Sequence, residues 1–412
     1  MGKRRGISRR EFMKKVGVST LAVGMSSILP KIIKPAQAAK EPVKIGFIGP
    51  YSGFASTDGI PMRKNFELAV KVMNEKGGIL GGRNIEAFYY DDGVKPDQAA
   101  AMARKAITSD KVKAICGTWE TGCAIAVRDV CRDYNMVCVL SDSDGIETYM
   151  EGYHGLIHLG ASPSCENAPV YWTMEQRKLK TIAVVYEEME WSRLLSKLYH
   201  RRWDKPGSPV KIVAEIFHPL GKSELKAEYT KAIASNPDGI AICEWTGPAT
   251  SAAMHATYEL GYKGVRMGFS PIANTKLLPS FGKSTDGVVM GAHFLPSPGV
   301  PANDAYVKLY TKNVDDELTN VGAMAYDAAN VTMLGINKAG TDSDLKKIAD
   351  AIHGLDYMMV SGNCKLKLIP EGRIQRAGEF ICRIQGGKMV DVGYFPFTPE
   401  ILQADIDLYK NP

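Results

Sequence analysis

VKAICGTWETGCAIAVRDVCRDYNMVCVLSDSDG, residues 112–145, reads as strand, helix, strand. Residues 112–116 and 136–140 are short apolar runs with β-branched residues, bounded by Gly and Ser/Asp clusters, so each predicts a buried strand. Between them Ala124, Val127, Cys131 and Tyr134 recur at three- and four-residue steps, which predicts one face of a helix. Two parallel strands joined by a right-handed crossover place both following loops at one sheet edge. In open α/β sheets that carboxyl edge is where ligands sit. The first loop there carries Trp119, Glu120 and Thr121, and the second Asp142 and Asp144. Helix capping is the alternative reading for the Asp and Thr residues.

The same alternation extends in both directions. Toward the amino end, strands are predicted at 43–48 and 85–90, and helices at 62–76 and 96–109. The connection GGILGG at 77–82 is readable only as a tight turn. Toward the carboxyl end, strands are predicted at 181–186, 210–217, 239–243 and 265–269, with helices at 192–203, 222–235 and 249–260 between them. Further helices are expected at 323–338 and 344–355, and a hairpin pairing 362–368 with 373–384. Two successive α/β series imply two domains built on parallel sheets, which a chain of 412 residues is long enough to support.

The formal charge of +6 is misleading, because the first 38 residues hold nine Lys/Arg and one Glu. Without them 42 bases face 44 acids, a net charge of −2 that gives no footing for nucleic acid or an anionic membrane. Ser8-Arg9-Arg10-Glu11-Phe12-Met13-Lys14, the apolar run 16–29 and Ala36-Gln37-Ala38 match a twin-arginine export signal with its cleavage site. The mature protein is therefore expected outside the cytoplasm, in the periplasm. Cys116, Cys123, Cys131 and Cys138 are spaced by seven, eight and seven residues, with no C-x-x-C anywhere. Buried free thiols are expected for most of the eight cysteines.

Enzyme signatures are missing. Gly221-Lys222-Ser223 and Gly282-Lys283-Ser284 resemble the end of a phosphate loop, but Ile216 and Leu277 stand where its first glycine is required. There is no G-x-S-x-G elbow and no H-E-x-x-H. The pair Asp91-Asp92 is better read as loop and cap than as acid/base machinery. No catalytic activity, cofactor or resident metal is expected.

KIGFIGPYSG at 44–53, NEKGGILGGR at 74–83, the DDG loop at 91–93, the Gly117 loop, Asn236-Pro237-Asp238 and Glu259-Leu260-Gly261 together resemble the periplasmic branched-chain amino acid binding proteins. The resemblance covers nearly all of residues 43–395. It implies a type I periplasmic-binding fold, with two Rossmann-like lobes joined by three hinge crossovers. One lobe would be 43–160 plus 292–378, the other 161–291 plus 379–395, with a tail from 396 to 412. It also implies a monomer that closes on a small ligand and delivers it to an ABC permease in the inner membrane. A ligand-sensing module for a membrane receptor is one rival, and an exported enzyme is the other.

Carried over position by position, Thr121 matches a Ser that holds the ligand's carboxylate, and Asp142 and Asp144 fall where the family has a small residue and a Thr. Asp58, Trp191 and Thr246 fall at pocket tyrosines, and Ser270 falls where a Glu pairs with the α-ammonium. Tyr51, Trp119, Glu120, Glu244 and Trp245 lie in or beside the same loops. Up to five acids would then converge with three indoles, a set suited to a cationic amine or guanidinium. A Ca²⁺ ion on Asp58, Asp142 and Asp144 is a lesser reading. An amino acid, amide or aromatic acid is the alternative ligand within the same family.

Overall fold

The computed structural model describes residues 40–410, apart from 144, 146–147, 149, 161–162, 270–277, 297–300, 362–364, 367–377 and 398. The export signal lies outside the described residues.

Two sheets organise the chain. The first has the order β2-β1-β3-β4-β5 and is parallel throughout. Its strands are β1 (Val43–Gly49), β2 (Ile85–Asp91), β3 (Ala114–Gly117), β4 (Val137–Leu140) and β5 (Leu156–His158). The helices between them are α1 (Ser56–Glu75), α2 (Pro96–Thr108) and α3 (Thr121–Asp133). The second sheet has the order β12-β11-β10-β9-β8-β6-β7. Its parallel part is β6 (Thr181–Glu187), β7 (Lys211–His218), β8 (Gly239–Cys243), β9 (Val265–Gly268) and β10 (Val289–Ala292). Antiparallel β11 (Gly378–Gln385) and β12 (Lys388–Pro396) complete one edge. Preceding it is α4 (Ala168–Gln176), and within it come α5 (Glu190–Trp203), α6 (Lys226–Ala234) and α7 (Gly247–Glu259). Each sheet has a separate buried core on both faces. Burial on both faces is why the central strands read as unbroken apolar runs rather than alternating ones.

After β10 come α8 (Pro301–Asn313), α9 (Asn320–Ala339) and α10 (Leu345–His353), and α9 packs on α1 and β3 of the first sheet. The last helix, α11, is Pro399–Lys410. The chain thus passes between the sheets three times: between β5 and β6, after β10, and between α10 and β11.

Several expectations are corrected. The first helix begins at Ser56 rather than at 62. Pro61 lies inside it, where it forfeits one backbone hydrogen bond, and Gly59 lets the helix pack on Pro50, whose carbonyl oxygen would stand 1.8 Å from any Cβ at that position. Tyr134, assigned to the buried face of its helix, is 46% exposed because α3 ends at Asp133. Strand β11 pairs with β12 in a hairpin, and the expected pairing of 362–368 with the segment from 373 lies mostly outside the described residues. Gly386-Gly387, with φ of 59° and 70°, forms the hairpin's two-residue turn. The six described cysteines are free and buried.

Candidate functional site

Residues that follow β3, β4, β6 and β8 converge on a cavity of about 70 Å³ between the carboxyl edges of the two sheets. Elements of the two sides touch around it: α3 meets α5, and α7 meets the turn Gly53–Ala55.

On the first sheet's side, Gly117 has φ +120°, and a Cβ there would stand 2.0 Å from the Ile48 carbonyl oxygen. Glycine is therefore what lets the chain leave β3 so close to β1. Glu120 caps α3, its carboxylate accepting from the Cys123 backbone N–H at 2.8 Å. Trp119, Glu120 and Thr121 are thereby ranged along the cavity, with Asp58 from the first turn of α1 and Asp142 and Ser143 from the loop after β4. That loop is held from below. The Ser143 carbonyl accepts from His158 Nε2, and the buried Arg128 guanidinium on α3 donates to the Thr148 carbonyl at 3.3 Å and pairs with Glu151. Acidity is concentrated here: burial, the Asp91 charge and the Glu120 charge push the Asp92 carboxyl up to about 6, against a hydrogen bond from the Val94 N–H.

The second sheet's side is built differently. Glu187, at the end of β6, is fully buried and accepts from the Trp245 N–H (2.7 Å), the Thr246 N–H (2.8 Å), the Thr246 hydroxyl (2.6 Å) and the Gly221 N–H. One carboxylate therefore ties the loops after β7 and β8 to the end of β6. With its backbone fixed, Trp245 donates its indole N–H to Ser192 at 2.9 Å and meets Trp191 edge to face at 6.3 Å. Phe269 stands behind it at 5.3 Å. Met189, Trp191 and Trp245 form the cavity wall.

Seven of the sequence-predicted residues line the cavity: Asp58, Trp119, Glu120, Thr121, Asp142, Trp191 and Trp245. Asp144 and Ser270 lie outside the described residues. Three others are corrected. Tyr51 packs on Phe47 and donates to its carbonyl at 3.2 Å, inside the first lobe. Thr246 spends its hydroxyl on Glu187 and on capping α7. Glu244 turns into the second lobe, where it accepts from His218 Nε2 and the Tyr229 hydroxyl, both at 2.8 Å. Burial pushes its carboxyl up to about 7, partly offset by His218.

Six lining residues were not foreseen: Ser143, Glu166, Met189, Thr319, Asn320 and Val321. Ser143 and Met189 are close neighbours of predicted residues. Thr319 caps α9 through the Gly322 N–H at 3.1 Å, and Asn320 accepts from the Phe294 N–H at 2.8 Å. A Thr-Asn pair ahead of an apolar helix is an N-cap signal that could have moved the predicted start of α9 from 323 back to 320. Glu166 sits beside a crossing, where no strand-end pattern points to it. Among the described residues no Lys or Arg lines the cavity, and no group of three or more His, Cys, Asp or Glu is placed to hold a metal ion.

The family model for periplasmic binding proteins matches residues 42–380. The chain belongs to the periplasmic binding protein family. A Leu/Ile/Val-binding protein homologue of Brucella melitensis is 24% identical to this periplasmic binding protein over 324 residues, which are 77% of this chain and 85% of the relative. Among solved structures, a leucine-binding protein of Thermotoga maritima aligns with a TM-score of 0.76 at 21% identity, covering 87% of this chain and 99% of its own. A solute-binding protein of an R. palustris ABC transporter, solved with benzoate, aligns with a TM-score of 0.77 at 18% identity, covering 86% and 96%. These neighbours have the two-lobed α/β architecture with mainly parallel sheets seen here.

Proposed function

We propose that this periplasmic binding protein is the exported solute-binding component of an ABC importer, taking a small organic solute with a cationic amino group on an apolar or aromatic body. The observation that carries this reading is the lining: Asp58, Glu120, Asp142 and Glu166 share one cavity with Trp119, Trp191 and Trp245, and no Lys or Arg joins them among the described residues. Ionised carboxylates only accept hydrogen bonds, so the matching ligand group is a donor. An indole face adds roughly 0.5 to 2 kcal/mol for a cation, depending on desolvation.

The second reading is an amino acid, amide or aromatic acid. It is favoured by the relatives named for leucine and solved with benzoate, and by Thr121 at the amino end of α3, where a ligand carboxylate would meet a hydroxyl and the helix dipole. In both readings 43–160 with 292–378, and 161–291 with 379–395, act as lobes that close on the ligand by hinge rotation. The closed monomer docks on an inner-membrane permease or, in the sensing alternative, on a receptor. Export through the twin-arginine route rests on Arg9 and Arg10, and their joint replacement by Lys should hold the precursor in the cytoplasm.

The deciding experiment is mass spectrometry of whatever co-purifies with the folded protein, joined to a thermal-shift panel of amines, guanidines, amino acids and aromatic acids. Stabilisation by cations supports the first reading. Stabilisation only by acids or amides moves the assignment to the second, and stabilisation by none overturns both.

A further inference from the structure

Glu166, His293 and Glu379 form a buried chain of two carboxylates around one imidazole. Their side chains are 4, 3 and 2% exposed. Each sits beside one of the three passages between the sheets. Glu166 ends the short helix Pro163–Glu166 after the first, His293 directly follows β10 at the second, and Glu379 is the second residue of β11 after the third. His293 Nδ1 lies 3.0 Å from a Glu379 carboxylate oxygen, and Nε2 is bonded to Glu166. An ionised carboxylate cannot donate, so a ring with both nitrogens against carboxylates is served by two ring protons. Burial opposes that charge, but Glu379 and Glu166 outweigh it and hold the ring's proton affinity well above its ordinary value. Of the three residues only Glu166 lines the cavity.

We infer that Glu166 is a ligand-selecting residue that takes an ammonium or other N–H donor, and that His293, anchored by Glu379, is its positioning residue. The inference rests on the small-solute reading above and deepens it. A Glu side chain has three rotatable bonds, and fixing it only when ligand arrives would subtract from affinity. His293 fixes it beforehand and, as a cation, keeps it ionised and therefore an acceptor. The place where the crossings meet the second sheet is thereby also the donor-selecting wall of the cleft.

The test uses matched probes on the mature chain: 3-methylbutylamine, leucine and 4-methylpentanoate, and benzylamine, benzyl alcohol and benzoate. Calorimetry should show wild type preferring an amine over its carboxylate counterpart. Glu166→Gln should weaken that amine by about tenfold or more while leaving the carboxylate unchanged or stronger, since a hydrogen bond to a charged group is lost. Should His293→Gln fail to fold, Glu379→Gln keeps the proposal exposed. Among the described residues, Glu166 and Glu379 are the charged groups facing His293. With Glu379 neutral the ring should lose its proton nearer the usual value of about 6.5, so amine affinity should fall as pH rises through about 7, while wild type stays flat. Equal amine binding by wild type and Glu166→Gln, or a flat profile in Glu379→Gln, overturns the inference and leaves the proposed function standing. A protein that binds the carboxylates but no amine overturns the inference and shifts the function to its second reading. Binding of no probe at all overturns both.

Discussion

The two sides of the cleft solve the same problem by opposite means. The first sheet presents polar groups at the ends of short strands: Thr121 and the capping carboxylate of Glu120 on α3, Asp58 on α1, Asp142 on a loop clamped by Arg128. The second presents flat apolar surface with Glu166 at its margin, and hides the carboxylates at its strand ends, Glu187 beneath Trp245 and Glu244 deeper still. An acidic residue at a strand end thus lines the cavity on one side and is scaffolding on the other. Buried donors decide which: the Trp245, Thr246 and Gly221 N–H groups hold Glu187, and His218 with the Tyr229 hydroxyl hold Glu244. Where a loop turns its donors inward, the carboxylate follows them and the neighbouring indole is left facing the cleft.

The largest effect is expected where the aromatic wall is broken. Trp245→Ala should cost about 2–4 kcal/mol of affinity for the best-bound probe, the loss usual for a central buried Trp, with calorimetry as the measure. Retained affinity would mean that the wall is spectator surface. Asp142→Asn tests the polar side. It should weaken an amine by about 1.5–3 kcal/mol and leave a neutral probe within error. Glu187→Gln should act on stability first, by about 1–3 kcal/mol, because an amide presents N–H₂ to donors that need an acceptor. Urea unfolding followed by indole fluorescence would detect both the loss and a loosened Trp245.

This asymmetry also explains what the sequence could and could not reveal. Strand runs such as GIAIC at 239–243 and the loops that follow them are legible, because burial on both faces leaves an unbroken apolar word and the carboxyl edge is set by topology. That reasoning places Trp119, Thr121 and Asp142 in the cleft. It cannot tell Glu244 from Glu120. Both flank a strand end, and only the three-dimensional positions of Tyr229, His218 and the Cys123 N–H separate them. The places of Glu166 and Asn320 in the cavity were illegible for a different reason. They reach the cavity from beside crossings between the sheets, where contacts are made across long sequence separations, as between Glu166 and His293, 127 residues apart.

The smallest expected effect sharpens the comparison from the hidden side, through pH. Glu244 and His218 are buried together, and each has a folded-state proton affinity above its ordinary value, Glu244 through burial and His218 through Glu244 overcoming burial. Both shifts have the same sign. A group whose pKa is raised in the folded state stabilises the protein fully below its unfolded pKa and loses that contribution as pH rises through the folded one. For Glu244 the window runs from its ordinary 4.5 to about 7, and for His218 it begins near its ordinary 6.5 and extends upward. Because the pair shares one proton, the combined effect is on the order of 1 kcal/mol, less than the sum of two independent shifts at about 1.4 kcal/mol per unit. Ligand-free protein should therefore have a lower urea midpoint at pH 8 than at pH 6. His293 contributes in the same direction, so the diagnostic is a difference. Glu244→Gln should flatten part of the slope, because His218 then lacks the carboxylate that raises it. On the cleft side Glu120→Gln, which keeps an oxygen for the Cys123 N–H, should leave the slope above pH 7 unchanged, because the Asp92 carboxyl that its charge raises titrates at about 6. If both variants flatten it equally, the division between ligand-facing acids and scaffolding acids is wrong.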